Sequence, residues 1–407
     1  MDSYISGPEE SARSPEKNMT TTTRPNEGTL LVALSGKLDA TTSAAFEKQI
    51  QLDGIQSLVL DFNGCDYISS LGLRLILAAH QKMSAKKGAM SLIHVSPDVY
   101  SIFETTGLSK VIAIKRKMRE ISIEGLQFIS AGVGGECYRL DQDTVVKLYH
   151  EGVDASVAEQ EKQSTQAAFL MGIPTAISYD VVSCGNRTGI VFEMLNAEIF
   201  STVIKNDYAL LDQHAKTLSD VAKTLHSAKG DPAILTNLKT RFRDYIPQMG
   251  EFLPPEDVAL LMRNLESVPD SETCVHFDLH SSNIMIQDGK PTLIDMGDFS
   301  IGSYLFDIGI VYTLYGVEEL ALTFKATKIP NEKGPEIWKS FEKHYFADKP
   351  DHERAFFHNN RYFLASLRVI YVSLVLPYYR EDCLKMLKDI LMPRIRSAHS
   401  GDRSPAK

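Results

Sequence analysis

The run His276-Phe277-Asp278-Leu279-His280-Ser281-Ser282-Asn283, followed by Asp295-Met296-Gly297, concentrates most of the chain's reactive potential. Phosphoryl transfer needs a carboxylate near the acceptor hydroxyl, an amide oxygen on a metal, and a further carboxylate on the metal. The H-x-D-x-x-x-x-N run supplies the first two on one loop, with Asp278 as catalytic base and Asn283 as a metal ligand. Asp295, placed at the end of a strand over 292–294, supplies the third. His276 and His280 have metal-ligand spacing, but no third Cys or His stands near them to complete a zinc site. Asp307, in Asp307-Ile308-Gly309 at the start of a helix, caps that helix or anchors the loop.

The parts that would hold a nucleotide stand upstream in a workable order. Gly132-Val133-Gly134-Gly135 joins two strand-like segments, where backbone N–H groups could cradle phosphates. Lys147, in Val145-Val146-Lys147-Leu148, sits where a strand lysine reaches phosphate oxygens, and Glu161 on the next helix can pair with it. Glu193 and Met194, in Phe192-Glu193-Met194-Leu195, fall where a hinge between lobes should run beside the nucleotide. Taken singly, the glycines read as a turn and the lysine as surface. The order of the set carries the reading. A second constellation lies near the N-terminus, where Ser69 and Ser70 open a helix after Cys65-Asp66-Tyr67-Ile68. A serine pair there is a helix cap. The same place suits a phosphate, because free N–H groups and the helix dipole favour an anion.

These residues need elements to position them. Strands over 29–35, 57–62 and 90–95 alternate with helices over 39–50, 71–86 and 97–106, which defines one small α/β domain. Lys115–Arg119 is a basic stretch and the boundary. Strands over 121–130, 136–140 and 144–149 follow, then a helix over 155–171 and strands over 177–183 and 189–193. Helical spacing dominates from Tyr208 onward, as in Leu211, Ala215, Leu218, Ala222 and Leu225. A small sheet lobe before a larger helical lobe is a bilobal plan.

Across about 122–395 the chain resembles the aminoglycoside phosphotransferase family, which has the α+β bilobal protein-kinase-like fold. Gly172-Ile173-Pro174 after the first helix adds to the match. The resemblance implies ATP and Mg2+ as cofactors, and a nucleotide site of Gly132, Gly134, Gly135, Lys147, Glu161, Glu193 and Met194. It implies the catalytic and metal roles of Asp278, Asn283 and Asp295 already named. Phe277 departs from the usual glycine, and Glu136-Cys137 follows a degenerate glycine loop. Over 28–116 the chain resembles the STAS domain, the α/β fold of bacterial anti-sigma-factor antagonists. Aligning Gly72-Leu73 makes Ser70 the phosphoacceptor and Ser69 the usual aspartate, with Leu71 at a position usually Ser, Thr or Ala.

Composition sets the limits. At 407 residues the chain exceeds one core, and 43% hydrophobic with 23% charged residues is ordinary for a globular protein. Residues 1–27, rich in Ser, Thr, Pro and charge, and 396–407 are expected to be disordered. The apolar run over 369–376 is too short for a membrane span, and residues 1–27 hold no secretory apolar segment. Five scattered cysteines without a C-x-x-C pair imply a reducing cytoplasm. Residues 1–120 carry a net charge of +1 and the remainder −10, which speaks against nucleic-acid binding. That acidity is either solvated surface or a cleft for a cationic small-molecule acceptor, with Glu318, Glu319, Glu332 and Glu336 as candidates. The expectation is an ATP-dependent phosphotransferase acting on a hydroxyl, with a STAS module for regulation or capture of an anti-sigma factor or other protein. The alternative is an anti-sigma-antagonist-type signalling protein whose kinase-like half is inactive or acts on protein.

Overall fold

The computed structural model describes residues 20–26, 28–132 and 134–399. The chain forms two compact units that divide between Arg119 and Glu120. In the first, a five-stranded sheet has the order β1-β2-β3-β4-β5: β1 (Thr20–Asn26), β2 (Thr29–Leu38), β3 (Ser57–Ile68), β4 (Ala89–Val95) and β5 (Ala113–Arg116). β1 is antiparallel to β2, and the later neighbours are all parallel. Parallel neighbours need crossovers, and these are α1 (Ser43–Gln49), α2 (Ser70–Ala85) and α3 (Pro97–Thr105). Alternate residues of β2 and β3 are buried, among them Val32, Leu34, Leu58 and Leu60, so one face of the sheet carries this unit's core.

The second unit begins with a six-stranded sheet of order β6-β10-β11-β9-β8-β7. Its strands are β6 (Arg119–Glu120), β7 (Gln127–Ala131), β8 (Gly135–Arg139), β9 (Thr144–Tyr149), β10 (Ser178–Cys184) and β11 (Arg187–Glu193), with α4 (Ala155–Leu170) between β9 and β10. The helical lobe follows with β12 (Glu198–Ile199), α5 (Phe200–Asn206), α6 (Leu211–Ser227), α7 (Leu238–Gln248) and α8 (Pro255–Ser267). Four short strands then carry the loops of interest: β13 (Thr273–Val275), β14 (Ile284–Gln287), β15 (Lys290–Leu293) and β16 (Ser300–Gly302). α9 (Leu305–Val311), α10 (Leu322–Thr327), α11 (Gly334–Tyr345), α12 (Asp351–Val375), α13 (Arg380–Lys385) and α14 (Met392–His399) complete the unit. No single helix among the described residues is long and apolar enough to cross a membrane.

Three expectations need correction. Residues 20–26, assigned to a disordered 1–27, form β1, because a threonine run has high strand propensity and β2 offers a free edge. Residues 396–399, assigned to a disordered tail, continue α14, where the Arg396 guanidinium forks onto the buried Asp257 carboxylate. The expected strand over 121–130 is split. Ile121 and Ile123 pack on the small core of Val146, Leu148, Val182 and Val191, and the chain turns at Gly125 with φ +75° before β7 begins. Residues 1–19 and 400–407 lie outside the described residues.

Candidate active site

β9 sets the first half of the site. Side chains alternate along a strand, so Val146 and Leu148 enter the core while Lys147 and Tyr149 share the other face. On that face the Lys147 Nζ lies 2.8 Å from both Glu161 oxygens of α4 and 2.7 Å from Asp295 Oδ1. The Tyr149 hydroxyl donates to Glu161 as well. Burial works against the Lys147 ammonium, yet Asp295 and Glu161 outweigh it and hold its pKa well above that of a free lysine. Lys147 in turn holds Asp295 below the usual carboxylate range, whereas burial pushes Glu161 up. Gly297 makes room for this cluster, since a Cβ there would lie 3.3 Å from Glu161 Oε2.

The glycine loop joins β7 to β8 beside that lysine. Gly132 N–H donates to Gly135 O at 2.8 Å, closing the turn, and a Cβ on Gly134 would lie 3.6 Å from Lys147 Cε. Gly135 adopts φ +152°, and a Cβ there would approach Leu148 O to 2.0 Å, so only glycine fits. Glu193 and Met194 are not joined to the cluster. The Glu193 carboxylate accepts from Ile177 N–H at 2.8 Å, and Met194 N–H donates to Asp143 O at 2.7 Å.

The second half is the loop after β13. Asp307 of α9 anchors it: its carboxylate accepts from His276 N–H at 2.8 Å and Phe277 N–H at 2.6 Å, and meets His226 Nε2 at 3.0 Å. His276 Nδ1 accepts from Asp278 N–H at 3.2 Å, which leaves Nε2 to donate to Ile294 O at 3.0 Å. Asn283 Nδ2 donates to Asp278 O at 2.9 Å and to Asp278 Oδ2 at 3.2 Å, so the proposed base and metal ligand are in direct contact. Phe277 and Asp295 both have φ +60°, a left-handed backbone that non-glycine residues adopt at a cost of about 1–2 kcal/mol. That conformation accounts for the glycine usual at position 277. The Phe277 ring is fully buried and meets Phe242 and Tyr371 edge-on, each at 5.6 Å between centroids.

One group escaped the sequence reading. Arg368, on α12, places Nη2 2.9 Å from Asp278 Oδ1 and Nη1 2.7 Å from Asp298 Oδ2. The Tyr371 hydroxyl, one turn further along α12, also donates to Asp298. Burial would raise the Asp278 pKa, but Arg368, helped by His280, holds it well below the usual carboxylate range. The signal was a lone arginine inside the apolar helical stretch Phe363–Ile370, because a charge on a buried face requires a partner.

In the first unit, Ser69 caps α2, with Gly72 N–H donating to its Oγ at 3.2 Å, and Ser70 is the exposed first residue of the helix. Ser69 N–H donates to Leu38 O at 2.9 Å. A Cβ on Gly72 would come within 2.5 Å of that same carbonyl, which explains the glycine after the serine pair.

Residues 125–338 match the model of the phosphotransferase enzyme family, and residues 20–121 match that of the STAS domain. The chain therefore belongs to the phosphotransferase enzyme family, with a protein-kinase-like fold in its second unit and a STAS domain in its first. The first unit is 32% identical over 93 residues to the anti-sigma F factor antagonist of Paenibacillus polymyxa, spanning 22% of this chain and 80% of the relative. It is 24% identical over 94 residues to the anti-sigma-B factor antagonist of Listeria monocytogenes, spanning 22% and 82%. Among solved structures, ADP-bound aminoglycoside phosphotransferase APH(2'')-Ib aligns with 72% of this chain and 96% of its own, at 18% identity and a TM-score of 0.44.

Proposed function

We propose that the chain transfers the γ-phosphoryl group of ATP to a hydroxyl group of a small molecule, and that its STAS unit binds a protein partner under control of Ser70. The observation that carries the first part is the convergence of Lys147, Glu161 and Asp295 on one side, and of Asp278 and Asn283 on the other, from four separate segments. Lys147 would bind phosphate oxygens, with Glu161 fixing its direction. Ile190 lies opposite Lys147, and Glu193 is three residues further along β11, about 10 Å away at strand spacing. That distance suits a nucleotide with its phosphates at the lysine and its base near Glu193 and Met194. Asn283 and Asp295 offer hard oxygen donors, and magnesium commonly takes one or two protein ligands beside phosphate oxygens. The residues fit that ion, which would supply charge neutralisation on the transferring phosphoryl group.

Asp278, held ionised, accepts a hydrogen bond from the acceptor hydroxyl and orients its oxygen toward phosphorus. As the new O–P bond forms and the bond to the ADP leaving group breaks, the hydroxyl proton passes to Asp278 and then to solvent. A carboxylate of such low basicity serves mainly by orientation, in keeping with a loose transition state. The test is ADP release by purified full-length protein across a panel of hydroxyl compounds, with Asp278→Asn as control. Equal turnover in wild type and Asp278→Asn would remove this mechanism.

The exposure of Ser70 at the start of α2 favours a second reading, an anti-sigma-antagonist-type signalling protein in which the kinase-like unit is inactive or modifies protein. Nucleotide binding without turnover, joined to partner capture, would support it. Label from ATP on protein alone would point to the protein-directed form.

A further inference from the structure

The ion pairs around Asp278 bear on what kind of acceptor can approach it. Arg368 spans Asp278 and Asp298, so these two carboxylates share one cationic partner. Two of the acidic candidates for drawing a cation are committed too, Glu319 to Arg394 and Glu336 to Lys333. A second guanidinium stands next to this group. Arg241, in the first turn of α7, donates through Nη2 to Ser300 Oγ at 3.3 Å, and Ser300 Oγ donates to Asp298 O at 2.8 Å. Its neighbours fix the place: Phe242 packs on Phe277, and Tyr245, one turn on, packs on Tyr371 at 6.1 Å between centroids. Burial and Asp298 push the Tyr371 phenol up while Arg368 and Arg241 pull it back, so both guanidinium groups lie within electrostatic reach of that hydroxyl.

Among the described residues Arg241 has no ion-pair partner and makes that one long side-chain hydrogen bond. A half-buried guanidinium has five N–H donors arranged to fit a carboxylate or phosphate, and most of them are uncommitted here. We infer that the acceptor is an oxyanion-bearing hydroxyl compound whose carboxylate or phosphate is held by Arg241 while its hydroxyl meets Asp278. The inference rests on the phosphotransferase reading for the role of Asp278, but the oxyanion site itself does not. Arg368 and Arg241 together balance Asp278 and Asp298, so a cationic acceptor would meet no net negative charge here, whereas the uncommitted N–H donors of Arg241 favour an oxyanion.

The test is calorimetric titration of the full chain, with and without magnesium and a non-hydrolysable ATP analogue. The ligands are D-glycerate, glycerol 3-phosphate, glycerol and choline, which present a hydroxyl beside a carboxylate, a phosphate, no charge and a cation. Binding of at least one anion, with none of glycerol or choline, is expected. Arg241→Met should weaken that binding by tenfold or more, Arg241→Lys should recover part of it, and Asp278→Asn should leave it in place. Choline binding as tightly as the anions, anion binding indifferent to Arg241→Met, or no anion binding would overturn the inference. ADP release is read in parallel. Anion binding that depends on Arg241 without ADP release keeps the oxyanion site and removes the transfer reaction. ADP release driven by choline keeps the transfer reaction and removes the oxyanion site.

Discussion

Two cations organise the cleft, and they do so differently. Lys147 joins Glu161 to Asp295, and Arg368 joins Asp278 to Asp298. Lysine is a point charge on a flexible stem, and Asp295 is nearly half exposed, so its bond to Lys147 can yield to a phosphate or a metal. Arginine is a rigid planar fork, and here both its carboxylates and its own stem are largely enclosed. In the proposed reaction the difference separates a contact that would exchange in each cycle from one that would hold Asp278 in place throughout.

The strongest way to break this contrast is to neutralise the residue on the rigid side. Asp278→Asn should cut turnover by at least about a thousandfold, since orientation and proton acceptance are lost together, while ATP affinity stays within a few-fold. Steady-state ADP release and nucleotide titration read the two effects separately. Lys147→Met should do the converse, with weakened nucleotide binding as its first effect.

Arg368→Met tests the permanence of the second cation. It leaves two enclosed carboxylates without their partner, which should cost about 3–5 kcal/mol of folding stability at neutral pH. The pH dependence has a definite sign. Asp278 is held below its unfolded value of about 3.9, so its contribution is present above that pH and fades as pH falls. The gap between wild type and Arg368→Met in urea denaturation should therefore narrow from pH 7 toward acid. A gap that is constant or widens would mean that Arg368 acts through packing on Phe277 and Tyr371 alone.

A smaller effect is expected at Phe277. Replacing it by glycine relieves the left-handed backbone, a gain of about 1–2 kcal/mol, but empties a fully buried ring site at a loss of about 3–5 kcal/mol. Net destabilisation should appear as a lower urea midpoint with an unchanged slope. The smallest effect on folding is expected in the first unit. Ser70→Asp should alter stability by no more than about 0.5 kcal/mol, because an acidic group at a helix start meets free N–H groups. Its effect should instead appear in pull-down, where it loses a partner that Ser70→Ala retains.

The lysine side of the cleft could be read from the sequence because its parts lie in short motifs with fixed spacing: Lys147 on a strand, Glu161 on the following helix, Asp295 before a glycine. The parallel sheet and its crossovers could be read for a similar reason, since β2, α2, β4 and α3 each carry their own periodicity and caps. Arg368 could not be placed, because nothing local ties a helix residue to a carboxylate 70 positions earlier. The strand β1 was hidden for a different reason. A threonine run states a preference for extended backbone, and only the edge of β2 decides whether it is used.

The sequence distance between Arg368 and its carboxylates also has a consequence in time. A ribosome delivers Asp278 and Asp298 well before α12, and at about 5–20 residues per second the 70 residues after Asp298 take roughly 4–14 s. Throughout that interval the nascent chain holds every motif residue of the cleft and lacks the guanidinium that makes their charges compatible with burial. The matched family region ends at residue 338, thirty residues short of it. Full pairing within this site therefore waits for α12, and a nascent chain stalled before it would hold Asp278 and Asp298 without the guanidinium that bridges them in the finished protein.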